Sequence, residues 1–355
     1  MKIKYNSTAF PAKYGHKLIG ENSLNFTLQQ FLWAAITVGR RKPSHVLRNG
    51  IYSKYEISYR VMIIMANIAK ERRTGHLLKS IAYTSLDPSE KGAVSYFIGL
   101  TLTKLLAEKL LSTPWLLHLD VYKNSFFLTS KHKLVFAKTK SRPDLLGLNT
   151  SKQWIVMESK GRSGKIDSEV LGKAKNQTKT LRTVGGTIPE LKVAVVAHFK
   201  DELLTVDWTD PDESNVDSID IPMDNDAFLR EYYELVYNIL AGNNNTNYQY
   251  QERQELPFVT YRLIDLDLTI GLDKRIFDSY TEGSLSQTVS NIFVSYQNLT
   301  NERQGEQAIY PITRFNDNQN IFIGNDGILV SLGNSWLEAI ELINFAVTSH
   351  SWLSK

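Results

Sequence analysis

The sequence predicts an α/β protein built on a mixed sheet flanked by helices, with an N-terminal helical region and a C-terminal α+β region beside it. Three observations predict this. A helix with complete start signals opens the central part of the chain. Apolar runs of strand length follow it. A second helix and a buried strand close the series, in the order αβββαβ. The chain therefore divides into residues 1–80, mainly helical; 81–208, the sheet-bearing core; and 209–355, α+β.

Each element has its own local reason. In "LNFTLQQFLWAAITVGRR", Phe26, Leu28, Phe31, Leu32, Ala35 and Ile36 recur near a 3.6-residue period, and Gly39 ends the run. "KYEISYRVMIIMANIAKERR" repeats the pattern with Ile57, Val61, Ile64, Met65 and Ile68. The third helix starts at "LDPSEKG": Asp87 is a good N-cap, Pro88 suits the first helical position, and Glu90 stands where a capping box needs it. Val94, Phe97, Ile98, Leu102, Leu105 and Leu106 form its buried face. "PWLLHLDVY" is the first strand, with "SFFLTS" and "KLVFAKT" as short β or loop segments. Strands are expected over Asp144–Leu148 and Trp154–Lys160, a helix over "DSEVLGKAKNQTKTLRTV", and strands over "KVAVVAHF" and "ELLTVDW". After an acidic boundary come a helix at Ala227–Leu240, a "GNNNTNYQYQ" linker from Gly242, and a tail containing "YRLIDLDLTIGL" and "IFIGNDGILVSLG".

Composition sets limits on function. Apolar content of 42% and charged content of 22% describe a globular rather than a disordered chain. The absence of cysteine excludes disulfides and thiolate zinc sites and fits a cytoplasmic setting. The N-terminus lacks a continuous apolar core, and no apolar run is long enough for a membrane span. Net charge is only +4, but it is unevenly spread. Lys131 to Arg182 holds 13 Lys and Arg against 4 Asp and Glu, a balance of +9, whereas Asp207 to Asp226 holds 8 acids and no Lys or Arg. A basic block of this kind suits binding to a phosphate backbone, although a solvated basic surface has the same composition.

That block surrounds "SRPDLLGLNTSKQWIVMESKGRSG", where an apolar, strand-like run carries two carboxylates and a lysine. Buried charges are costly unless they are paired or coordinate something. A turn at Asn149–Lys152 sets Asp144 across from Met157 or Glu158, and strand alternation gives Glu158 and Lys160 one face while Ser159 points away. Two adjacent carboxylates repel each other, and a divalent cation relieves this. Oxygen ligands in this number suit Mg²⁺.

These residues resemble the PD-(D/E)xK nuclease superfamily, the restriction-endonuclease-like fold. The motif stands here as Pro143-Asp144, a gap of 13 residues, then Glu158-Ser159-Lys160, and the resemblance spans about residues 85–205. It implies that Asp144 and Glu158 bind Mg²⁺, or Mn²⁺ in its place, and that the Ser159 carbonyl completes coordination. Lys160 would assist the attacking water. Many members add an acid from the preceding helix, for which Glu90 is the candidate, and a Gln or Lys from the following helix, matched by Lys173, Lys175 and Gln177. Arg142, Arg162 and Lys165 join these as candidate nucleic-acid contacts. The implied partner is DNA, in a restriction or phage-defence setting with a partner protein from the same system. Cutting both strands is most simply done by a homodimer, with Tyr232, Tyr233, Trp336 and Trp352 as candidate interface aromatics.

Rival constellations fall short. "GRSGK" lacks the first glycine of a phosphate-binding loop, since Ser159 stands there, and Ile166 replaces the Ser or Thr. The seven histidines show no metal-ligand spacing, and His118 and His198 read as satisfied core or edge residues. Asp265 and Asp267 alternate with leucines as in a half-exposed strand, and "GNDGIL" reads as a hairpin turn. Two functional classes remain: a metal-dependent endonuclease, and an inactive module on the same fold that binds nucleic acid or protein.

Overall fold

The computed structural model describes residues 1–38, 51–120, 142–210, 219–241, 248–253, 256–302 and 321–336. The chain opens with β1 (Lys2–Thr8) and β2 (Gly20–Asn25). Helix α1 (Leu28–Thr37) follows, started by a capping box between Thr27 and Gln30, and then α2 (Ile51–Asn67). The short strands β3 (Ile68–Lys70) and β4 (Leu77–Lys79) and the one-turn helix α3 (Ile81–Ser85) lead to α4 (Pro88–Leu111). Asp87 and Glu90 form the expected capping box there. Next come β5 (Trp115–His118), β6 (Leu145–Leu148), β7 (Trp154–Arg162), α5 (Ser168–Lys179), β8 (Leu181–Val184), β9 (Leu191–Lys200) and β10 (Leu203–Thr209).

Nine described strands make one mixed sheet, with the path β2-β1-β10-β9-β7-β6-β5 and β4 joined to β10. The β5-β6-β7 meander is antiparallel, β9 runs parallel to β7, and β1 runs parallel to β10. Helix α4 lies on the face to which Ser159 and Gly161 point: a Cβ on Gly161 would stand 1.8 Å from the Ser95 carbonyl oxygen, and Ser159 Oγ shares a 2.9 Å hydrogen bond with Thr103 Oγ1. Helix α5 packs on β7 and β9 and makes the crossover between them. Strands buried on both faces explain why "WIVMES" and "VAVVAHF" are continuous apolar runs.

The C-terminal part contains β11 (Ile219–Ile221), which pairs with β8, and α6 (Asn225–Ala241). Then come β12 (Tyr248–Arg253), β13 (Leu256–Leu263), β14 (Leu268–Asp273), α7 (Lys274–Glu282), α8 (Leu285–Glu302), β15 (Ile321–Ile323) and β16 (Ile328–Leu332). The five strands form a second, antiparallel sheet. A buried polar cluster ties this sheet to the rest. Asp326, in the β15–β16 turn, accepts hydrogen bonds from Trp33 Nε1 (3.2 Å), Tyr232 Oη (2.5 Å) and the Ile328 amide (3.0 Å). Lys104 of α4 donates to Tyr232 Oη at 2.8 Å and to the Pro114 carbonyl. Glu108 accepts from the Asn325 amide at 3.2 Å.

Several expectations need correction. Besides its helices the N-terminal region contributes β1 and β2 to the main sheet, which the sequence did not foresee. The helix read through Val184 stops at Lys179, since "LRTV" pairs with β11. Asp265 and Asp267 lie in the β13–β14 connection rather than in a strand, and Asp267 takes a left-handed φ of 44°. The last four residues of the "GNNNTNYQYQ" linker belong to β12. Tyr232, Tyr233 and Trp336 are buried in the molecule's own core and so provide no interface; Trp352 lies outside the described residues. "SFFLTS" and "KLVFAKT", with the basic residues from Lys131 to Lys140, also lie outside them. Among the described residues no helix is long and apolar enough to cross a membrane.

Candidate active site

The β6–β7 hairpin sets the geometry. Leu145 pairs with Met157 and Leu148 with Trp154, so continuing the register one step places Asp144 opposite Glu158. The two acids interlock: the Asp144 amide donates to Glu158 Oε2 at 2.8 Å, and the Ser159 amide donates to Asp144 Oδ2 at 3.1 Å. Each carboxylate thus commits one oxygen to a backbone N–H. Glu158 is fully buried, and its Oε1 contacts the Lys160 ammonium, whose side chain is 23% exposed.

Burial governs the titration of these groups. It raises the Asp144 carboxyl above its ordinary range, against the opposing pull of His118 and Lys160. Burial, reinforced by Asp144, pushes Glu158 up to about 8, and Lys160 lowers it in part. The pair therefore resists holding two negative charges without a compensating cation. The donor set fits Mg²⁺, a hard ion that takes one or two carboxylates and keeps several waters. Among the described residues no group of three or more His, Asp and Glu side chains is arranged to hold a metal ion, so the fit rests on this carboxylate pair.

The other predicted residues are placed as follows. Ser159 turns its hydroxyl to Thr103, leaving only its main chain toward the acids. Glu90 is exposed at the start of α4, where its Oε2 accepts from the Asp87 amide at 3.3 Å; the structure does not bring it to Asp144 and Glu158. Gln177 donates to the Arg142 carbonyl at 3.0 Å, so it holds the chain just before Asp144 rather than presenting its amide outward. Arg142 pairs with Asp120 at 2.6 Å, Lys165 with Asp201 at 3.2 Å, and Lys173 with Glu169 at 2.6 Å on the surface of α5. Arg162 is exposed at the end of β7 and Lys175 is half-buried on α5.

Two residues, Tyr96 and His118, join the site without a role assigned from the sequence. The reading of His118 as a satisfied core or edge residue is corrected, as is that of His198, because each keeps a buried Nδ1 without a hydrogen-bond partner among the described residues. His118, at the end of β5, lies with Nε2 4.0 Å from Asp144 Oδ1, and Tyr96 Oη of α4 is 3.0 Å from the same nitrogen. His118 Nδ1 is buried without a hydrogen-bond partner, and burial lowers the pKa of the ring below that of an ordinary histidine. Burial and the nearby Asp144 and Glu158 raise the Tyr96 phenol. Helix α4 thus brings a tyrosine, not an acid, to the carboxylate pair. The local signal was Gly99, three residues after Tyr96, which marks where the helix backbone meets β7. Comparison of the sequence and structure with protein-family models, curated proteins and solved structures finds no match.

Proposed function

We propose that the protein is a metal-dependent nuclease with a restriction-endonuclease-like core that hydrolyses phosphodiester bonds of DNA. One observation carries the reading: Asp144 and Glu158 interlocked across the β6–β7 hairpin, with Lys160 on the same face, inside an α4-β5-β6-β7-α5-β9 frame whose last strand runs parallel to the motif strand. Asp144 and Glu158 would hold Mg²⁺, which supplies positive charge that acidifies water and polarises phosphoryl oxygens. Lys160 reaches solvent while touching Glu158, so its ammonium can stabilise negative charge gathering on the phosphate. The backbone amides of Asp144 and Ser159 fix both carboxylates before substrate arrives. Gln177 holds the Arg142 carbonyl and with it the approach to Asp144.

The second reading, a binding module without catalysis, draws on the lack of a third acidic ligand among the described residues. One experiment separates the two. Purified protein is incubated with plasmid and linear DNA in Mg²⁺ or Mn²⁺ and compared with Asp144→Ala, Glu158→Ala and Lys160→Ala. Each substitution should lower cleavage by about 10²-fold or more, in line with loss of about 3 kcal/mol of transition-state stabilisation, while the thermal transition persists. Full activity in any variant removes that residue from the mechanism. Salt-dependent DNA binding with no cleavage in either metal would establish the binding module instead.

A further inference from the structure

A polar cleft of about 500 Å³ opens beside β1, β2, β9 and β10, and its lining includes Lys4, Asn6, Glu21, His198, Lys200 and Asp207. Its size is that of a small-molecule site. The sheet register explains how the cleft is assembled. Arg162, His198, Thr205 and Lys4 follow one another across β7, β9, β10 and β1, and Lys160, Val196, Asp207 and Asn6 make the neighbouring row. Directly paired residues share a sheet face, so the cleft lies on the same face as Glu158 and Lys160. Asp207 is two strand spacings from Lys160, about 10 Å.

The floor of the cleft is pre-arranged. His198 Nε2 is 2.7 Å from Asp207 Oδ2, and Asn6 Nδ2 donates to Asp207 Oδ1 at 3.2 Å. His198 is 4% exposed, and its Nδ1 is buried with no hydrogen-bond partner. Hydrogen bonding from His198 holds the Asp207 carboxyl below the usual carboxylate range. At the rim, Lys4 and Lys200 are exposed and take no ion-pair partner among the described residues, and neither does Glu21. Lys2 and Lys4, after burial, hold His76 below its ordinary pKa, and Asp201, the third carboxylate of the lining, pairs with Lys165 at 3.2 Å. Tyr5 lines the cleft but turns its ring edge-on to Trp208, 6.2 Å away, and is buried, so among the described residues no aromatic platform faces the space.

We propose that this cleft binds a phosphorylated sugar, with the phosphate between Lys4 and Lys200 and the sugar hydroxyls on Asn6, Glu21 and the His198–Asp207 pair. Two ammoniums without an ion-pair partner among the described residues select an anion, carboxylates and an amide beside them select hydroxyl donors, and the lack of a stacking surface among the same residues selects against readout of a base. The site is separate from the carboxylate pair and does not depend on the nuclease reading.

The test is calorimetric titration of the full chain with ribose 5-phosphate, inorganic phosphate and ribose. Ribose 5-phosphate should bind more tightly than either fragment. Affinity should fall about tenfold or more in Lys4→Ala and in Lys200→Ala, both surface changes that leave the core intact, and should be unchanged in Asp144→Ala and Lys173→Ala. Adenosine monophosphate and a 5′-phosphorylated oligonucleotide, run as further arms, name the source of the group by which binds more tightly. No heat with ribose 5-phosphate at about 1 mM would overturn the proposal. So would inorganic phosphate binding equally well, or a loss of binding in Lys173→Ala with none in Lys4→Ala.

Discussion

Gly161 lies one residue after Lys160, and replacing it with alanine tests how the site is built. The added Cβ would stand 1.8 Å from the Ser95 carbonyl oxygen, 2.2 Å from its carbon and 2.7 Å from the Tyr96 amide nitrogen. Ordinary contact begins at 3.4 Å, so the clash is about 1.6 Å deep, and every atom met is backbone. No flexible side-chain end can yield. Gly99 marks the same close approach from the helix side, since a Cβ added there would stand 3.1 Å from the Lys160 carbonyl oxygen. Helix α4 and β7 must therefore separate by an ångström or more. Overpacking costs about 1–3 kcal/mol, and backbone on both sides of the contact puts Gly161→Ala at the upper end, about 3 kcal/mol. The same shift moves Lys160 and Tyr96 relative to Asp144, and a displacement of about 1 Å costs about 10²-fold in rate under the nuclease reading. Urea unfolding followed by tryptophan fluorescence measures the first quantity and DNA cleavage the second. Gly172→Ala in α5 is the control: nothing lies within 4 Å of its Cβ, so it should be neutral or more stable by about 0.5–1 kcal/mol. A Gly161→Ala protein within about 0.5 kcal/mol of the parent would refute the close-approach argument.

Asp326→Ala removes the stronger of the two carboxylate partners of the buried Lys104 ammonium, leaving Glu108, and strands the Trp33 and Ile328 donors, so it should cost about 3 kcal/mol in urea unfolding; a loss below about 1 kcal/mol would show that the cluster relaxes or takes in water. Glu108 carries the pH dependence of the same cluster: burial, with Asp326 beside it, raises its carboxyl to about 7 in the folded state. The native state then holds a proton that the unfolded chain releases near pH 4.5, so this contribution is full below that pH and is lost as pH rises through 7. Glu108→Gln should flatten the decline in melting temperature between pH 5 and 8, and an unchanged slope would assign the titration elsewhere.

The sequence by itself determined whatever depends on near neighbours in the chain. Asp87, Pro88 and Glu90 specify the start of α4, because a capping box closes within four residues. The short Asn149–Lys152 turn narrowed the partner of Asp144 to Met157 or Glu158, because a tight hairpin holds the register to within one residue; the tertiary structure selected Glu158. Only the tertiary structure decided the rest. The β5–β6 register, which brings His118 to Asp144, pairs segments too far apart in the chain for local spacing to fix it. The parallel pairing of β1 with β10 joins residues about 200 positions apart, so "MKIKYNST" carried no local sign that it would wall a cleft with His198 and Asp207. Glu90 is the instructive error: its spacing suited both a capping box and a metal ligand, and the local hydrogen bond took it while the helix carried Tyr96 to the site instead. Asp326 reads as a turn residue in "GNDG" until the fold surrounds it with Trp33, Lys104 and Tyr232. Burial depends on every element packed around a residue, and no window of sequence contains them all.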